Sequence, residues 1–414
     1  MKKDTSRDAI ESPYAWMRLA VSLLLMTIGG AGMYSITVVL PRIQADFSAN
    51  RADVSLAYTL TMIGFGIGGV LMGRLADRFG VMVAVLVGAV GLGLGFIGAG
   101  LAPGIVLFCL AQGLFIGMLG TSATFAPLVA DTSQWFDRRR GIALAICMSG
   151  NYAAGAVWPP ILQWLIDGWG WRSAYMAIGV FCLLAMLPLA LVLRRRPPAQ
   201  DVVSITPQPF AAAPGGERPM GLSPATAQAL LCVAGLSCCV AMSMPQVHIV
   251  AYCGDLGFGA ARGAQMLSLM LGMGVISRLA SGWISDRIGG LRTLLLGSIL
   301  QGIALLLFLP FKGLVSLYVV SGLFGLFQGG IVPAYALIVR EHFSPAQAGA
   351  RVGTVLLATL LGMALGGWMS GALFDLTGSY QAAFVNGIAW NLLNLLIVAF
   401  LLYRVRLLPR RAAA

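Results

Sequence analysis

Charge is what this sequence has least of. Only 10% of its 414 residues are Asp, Glu, Lys or Arg, and its mean hydropathy is +0.87. A chain so poor in charge cannot cover a water-facing surface, which excludes a soluble globular domain. Histidine occurs twice, and no His, Cys or carboxylate cluster has metal-ligand spacing, so neither a metal nor another cofactor is expected. Enzyme chemistry lacks its parts: no nucleophile sits beside a base, and there is no G-x-x-x-x-G-K-[ST] phosphate loop. The missing loop also argues against a nucleotide-driven pump. The first apolar run is too long for a signal-peptide core and has no small-residue cleavage site, so it reads as a retained span. Seven cysteines, at 109, 147, 182, 232, 238, 239 and 253, fall inside or at the ends of apolar segments. An odd count placed there reads as small core residues rather than a disulfide framework.

What the chain does have is a series of apolar runs of about 20 residues, the length a bilayer demands of a helix. Twelve are predicted, at 17–40, 54–74, 81–101, 104–128, 141–164, 172–194, 225–253, 262–284, 291–311, 313–338, 351–373 and 379–404. The expected organisation is an N-terminal tail 1–16, a six-helix bundle 17–194, a Pro- and Ala-rich linker 195–224, a second bundle 225–404 and a C-terminal tail 405–414. The net charge of +12 is distributed by side. Lys2, Lys3, Arg7, Arg18, Arg74, Arg78, Arg138–Arg140, Arg194–Arg196, Arg218, Arg287, Arg292, Arg340, Arg351, Arg404, Arg406, Arg410 and Arg411 cluster on one face. Only Arg42, Arg51, Arg172, Arg262 and Lys312 fall on the other. By the positive-inside rule both termini are expected in the cytoplasm of a multi-pass plasma (inner) membrane protein. The basic balance then reports contact with the lipid bilayer, not with nucleic acid.

The halves repeat. Gly73-Arg-Leu-Ala-Asp77-Arg78-Phe-Gly80 aligns with Gly282-Trp-Ile-Ser-Asp286-Arg287-Ile-Gly289, and Gln112-Gly-Leu-Phe with Ser321-Gly-Leu-Phe at the same offset. Asp46-Phe47 and Asp255-Leu256 keep that offset too. Two homologous halves with a shared binding interface are the design of a rocker transporter.

The paired G-x-x-x-D-R-x-G loops resemble the signature of the major facilitator superfamily, over nearly the whole chain. Gln134-Trp-Phe-Asp-Arg-Arg-Arg-Gly before the fifth span, Ser149-Gly150 within it and Arg278 in the eighth resemble the monocarboxylate transporters and their oxalate/formate relatives. The resemblance implies an all-α membrane protein, twelve transmembrane helices in two pseudo-symmetric six-helix bundles. Two departures stand out. The acidic, Gly- and Trp-rich signature of many animal monocarboxylate transporters before the first helix is absent, and Gly274 stands where those relatives place an aspartate one turn before the arginine.

Arg278 lies inside the apolar run Gln265–Gly282, where a lone cation costs roughly 2.5–3.5 kcal/mol. It sits about 7.5 Å from the helix middle toward the arginine-rich side. Its repeat counterpart is Gly69, so the duplicated scaffold does not demand a charge there. Snorkelling to the interface or pairing with a carboxylate would make it structural. Asp77, Asp131, Asp137 and Asp286 on one side and Asp46, Asp53, Asp167 and Asp255 on the other lie near span ends, so a carboxylate cargo is the favoured partner. Asn151, mid-helix in the fifth span, could orient that carboxylate or pack a helix, and Tyr34 is ranked with it because the equivalent family helix lines the cavity. His248, roughly 13 Å beyond the midpoint of the seventh span, is a candidate proton relay or entrance guard, or a histidine bonded to a carbonyl. Asp77, Arg78, Asp286 and Arg287 read as gating residues at the arginine-rich side. Tyr58, Gln112, Gln328 and Tyr335 are further polar points that are more often structural.

The function these residues predict is secondary active transport of a small monocarboxylate anion, of the lactate or pyruvate kind, with a proton, by alternating access. No obligatory protein partner is inferred. Oxalate/formate-type anion exchange or drug export on the same fold, and a transport-inactive membrane sensor, remain the alternative readings.

Overall fold

The computed structural model describes residues 10–196 and 219–407. The expected tails and linker therefore lie mostly outside the described residues, at 1–9, 197–218 and 408–414. Among the described residues, twelve helices are long and apolar enough to cross a membrane, and there are no strands. They are α1 (Pro13–Asp46), α2 (Arg51–Phe79), α3 (Val81–Gly100), α4 (Ile105–Trp135), α5 (Gly141–Trp169), α6 (Trp171–Val192), α7 (Pro224–Asp255), α8 (Ala260–Ile288), α9 (Gly290–Leu307), α10 (Leu314–His342), α11 (Gly349–Thr377) and α12 (Tyr380–Leu407). This is a multi-pass membrane protein. Several helices overshoot their predicted apolar runs, because charged and capped turns carry the helix past the hydrocarbon layer. Ser12 shows the local logic: its hydroxyl accepts from Ala15 N at 3.3 Å, and Pro13 opens α1 where no N–H is needed.

Some consecutive helices are joined through a single glycine. Gly80 at φ +94° separates α2 from α3, and Gly289 at φ +81° separates α8 from α9. These are the last glycines of the two repeated motifs, and both take a backbone conformation that a side chain would strain. Three helices are broken. α1 has a one-residue break at Gly30, α4 runs through a π-helical stretch at Ala111–Thr121 and breaks before Ala126, and α10 breaks at Gly329–Gly330. Pro127 and Pro333 stand at the start of the second segments of α4 and α10, whereas Pro159 and Pro160 lie within an uninterrupted α5.

The described chain forms two compact units. The first takes in residues 10–196 together with Val247–Gly272, and the second holds 219–246 and 273–407. In the first, α3 packs along α4 and α6, α4 against α2, and α1 against α5. Gly64 and Gly68 of α2 let backbone meet backbone: a Cβ at either would run into the carbonyl of Gly113 or Met118 on α4. In the second, α9 packs along α10 and α12, and α11 touches α10 and α12. Its apolar core joins Leu231, Cys238 and Met242 of α7 with Leu294, Tyr335, Val355 and Leu401. All seven cysteines are free thiols, buried except for the half-buried Cys232, as their placement predicted.

Candidate functional site

Arg278 comes from the second unit. It lies near the arginine-rich end of α8, half-buried, and its Nε donates to the carbonyl of Gly329 at 3.5 Å. That carbonyl is exposed to it by the break in α10, where the helix ladder is interrupted. Gly329 itself rests on Gly274, one turn before Arg278, and on Ser277 beside it, and a Cβ at Gly329 would collide with the Gly274 carbonyl. Gly274 thus serves as a close packing point for α10.

Tyr34 and Asn151 are brought together in the first unit. The Tyr34 hydroxyl donates to Asn151 Oδ1 at 3.0 Å, and the Tyr34 ring and Leu271 both cover Gly155 one turn further along α5. Asn151 Nδ2 faces the sulfur of Met33 at 4.0 Å. Tyr152, the next residue, is buried. His248 is fully buried, 0% exposed, in the Val247–Gly272 segment.

The motif charges behave differently. Asp77, Arg78, Asp286 and Arg287 are all exposed, and among the described residues neither aspartate enters an ion pair. Arg287 stacks on Trp283 with its guanidinium 3.6 Å from the ring centroid. The start of α9 is capped from elsewhere: both carboxylate oxygens of Glu341 accept from Gly290 N, at 3.1 and 3.2 Å.

Of the other polar points, Gln112 and Tyr335 are bonded to neighbouring side chains. Gln112 donates to the Tyr175 hydroxyl at 3.0 Å. The Tyr335 hydroxyl donates to Asn394 Oδ1 at 2.9 Å, and Asn394 donates in turn to the Ser298 hydroxyl at 2.7 Å. Gln328 is fully buried and neither side-chain polar atom has a hydrogen-bond partner. Sequence reasoning missed all four ion pairs among the described residues, and two of them bury their arginine. Arg18 (2% exposed) and Asp131 (6%) form a buried fork, Nε to Oδ2 at 2.9 Å and Nη2 to Oδ1 at 2.8 Å, with Trp135 beneath the guanidinium. Arg51 and Asp255 form the other, 2.5 Å apart. Nothing local marks Arg18 as buried. Its signal is its place inside the predicted span 17–40, in a helix that begins at Pro13.

Comparison with known proteins agrees with this architecture. The chain is 27% identical over 381 residues to monocarboxylate transporter 13 of Bos taurus, covering 90% of this chain and 85% of the relative. It is 26% identical over 381 residues to monocarboxylate transporter 11 of Mus musculus, covering 90% and 84%, and 27% identical over 346 residues to an MFS-type transporter of Bacillus subtilis, covering 81% and 82%. Among solved structures, a peptide transporter complexed with alafosfalin superposes with a TM-score of 0.77 at 13% identity, covering 98% of this chain and 99% of that one. A bacterial homologue of the lysosomal transporter Spinster gives 0.73 at 16% identity, over 96% and 98%. Those two likenesses speak for the fold. The Major Facilitator Superfamily profile matches residues 22–316 and 275–413, so the chain belongs to that superfamily of transporters and is not an enzyme.

Proposed function

We propose that this transporter carries a small monocarboxylate anion of the lactate or pyruvate class together with a proton, and that Arg278 binds the carboxylate. One observation carries the reading: a guanidinium stands inside a membrane helix, oriented through its Nε by the Gly329 carbonyl, in a chain whose relatives are named monocarboxylate transporters. A guanidinium fork suits the two oxygens of a carboxylate, and one cation suits one negative charge. Moving a bare monoanion against the membrane potential costs about 2.3 kcal/mol per 100 mV, which a co-transported proton cancels. With Gly274 in place of an acid, that proton travels on the substrate or through His248. Tyr34 and Asn151, already bonded to each other, supply the polar contact for the substrate's keto or hydroxyl group. The two repeats are the moving bundles, 17–194 and 225–404. The arginine-rich face is cytoplasmic, with both termini, in the plasma membrane.

The test is uptake of labelled lactate into proteoliposomes under an inward proton gradient. Arg278→Gln is expected to lower uptake at limiting substrate by about tenfold to a hundredfold, the equivalent of losing a charge-assisted hydrogen-bond pair. Parent-like uptake by this variant removes the arginine from the mechanism. Uptake that needs substrate on the far side and ignores the proton gradient makes the protein an exchanger.

A further inference from the structure

The segment Val247–Gly272 belongs to the second repeat, yet it is fastened to helices of the first. Arg51, the first residue of α2, grips Asp255, the last residue of α7, through two bonds: Nη1 to Oδ2 at 2.5 Å and Nη2 to Oδ1 at 2.6 Å. The third edge of the guanidinium is held by Gln44 of α1, 3.1 Å from Nε. Closer to the membrane middle, the Ser268 hydroxyl on α8 donates to the carbonyl of Ala156 on α5, and Leu271 sits against Gly155.

The repeat shows that this ion pair is not part of the duplicated scaffold. Asp46 stands to Asp255 as Gly73 stands to Gly282, 209 residues apart. Asp46 is bound within its own repeat: Arg172 Nη2 lies 3.0 Å from its Oδ2, and the Trp171 indole donates to the same oxygen at 3.3 Å. At the same offset Trp171-Arg172 becomes Tyr380-Gln381, so the second repeat has kept the aspartate and lacks its cation. Arg51 in turn corresponds to Ala260. One repeat closes its aspartate on itself. The other hands its aspartate to a cation from across the duplication.

We infer that Arg51 and Asp255 form a latch joining the two repeats at the end opposite the arginine-rich one, and that this end opens to substrate only when the pair separates. Ser268 and Leu271 continue the closure inward along α5. Which side of the membrane the latch faces rests on the orientation proposed above. The latch itself does not.

Ala156→Cys places a thiol beneath Ser268, where a membrane-impermeant maleimide reaches it only when that end is open. In membrane vesicles, Asp255→Asn and Arg51→Gln are each expected to raise its labelling rate about fivefold or more, and the exchange Arg51→Asp with Asp255→Arg to restore it to within about twofold of the parent. Arg51→Lys, which keeps the charge, should fall between. Equal rates throughout, or an exchange variant as reactive as the single variants, overturn the latch. A variant that has merely unfolded also labels its native cysteines, so each is run without Ala156→Cys as well, and labelling there that matches the full rise counts against the latch. The readout needs no substrate. A failed lactate assay therefore leaves the latch standing, and faster labelling confined to inverted vesicles overturns the orientation alone.

Discussion

A guanidinium inside a membrane segment has to be held, and the two that matter here are held in opposite ways. Arg18 is enclosed. Asp131 meets it with both oxygens, the Arg195 carbonyl accepts from Nη1 at 3.0 Å and Trp135 lies 4.8 Å below. Removing one partner leaves a charge buried without compensation, so Asp131→Ala is expected to cost about 3–5 kcal/mol. The double replacement Arg18→Met with Asp131→Leu should cost far less, and unfolding midpoints in detergent compare the two. Arg278 is half-buried and oriented by a carbonyl, an arrangement suited to a partner that comes and goes. If it binds the cargo as proposed, Arg278→Lys retains the charge and loses the fork. The expected outcome is a KM raised about tenfold with a smaller change in maximal rate, read from initial uptake rates. The sequence announced Arg278, because a charge in an apolar run is visible one-dimensionally. It did not announce Arg18, because a charge near a span end reads as a loop charge until its partner 113 residues away is seen.

At the scale of the helix, glycines spaced four apart stand out in the sequence, and their division of labour does not. Gly64-x3-Gly68 and Gly69-x3-Gly73 look alike in sequence, and so do Gly362 and Gly366 in α11. Only some of them meet a neighbour: Gly64 and Gly68 pack on α4, Gly362 and Gly366 on α7, while Gly69 and Gly73 have open space beside them. Helical phase alone could not decide this, since it depends on which helix lies alongside. Gly68→Ala is expected to lower the unfolding midpoint clearly, because its methyl meets a backbone carbonyl that cannot turn away, a clash of the 1–3 kcal/mol class or larger. Gly69→Ala should leave the midpoint unchanged or raise it slightly, since alanine favours the helix by about 1 kcal/mol. Comparable losses for both would mean that α2 packs along its other face too.

For the molecule as a whole, the fold was readable because a bilayer imposes so few solutions: run length, the side chosen by arginines and one internal repeat suffice. The repeat was also the more informative where it fails. Ser298, Gln301, Tyr335, Asn391 and Asn394 make the interior of the second unit polar, while their counterparts in the first are Ala89, Leu92, Ala126, Cys182 and Ala185. Such a pattern becomes meaningful only once the hydrogen bonds among those side chains are known, as between Asn391 Nδ2 and the Ser298 carbonyl at 3.0 Å. The expected gating charges were legible as motif residues, yet their exposed positions, and the pairing of Arg51 with Asp255, needed three dimensions.

Arg51 is almost wholly sheathed, at 9% exposure, while Asp255 keeps 35% of its side-chain surface open to the bath. Dissolved ions can therefore crowd one partner and not the other. Raising salt from 0.15 M to 1 M shrinks the reach of an exposed charge from about 8 Å to about 3 Å. Applied to the face bearing Asp255, that change should speed labelling at Ala156→Cys; applied to the opposite face, where Asp77 and Asp286 enter no ion pair among the described residues, it should not. The carrier would then sense the ionic strength of one compartment and be indifferent to that of the other.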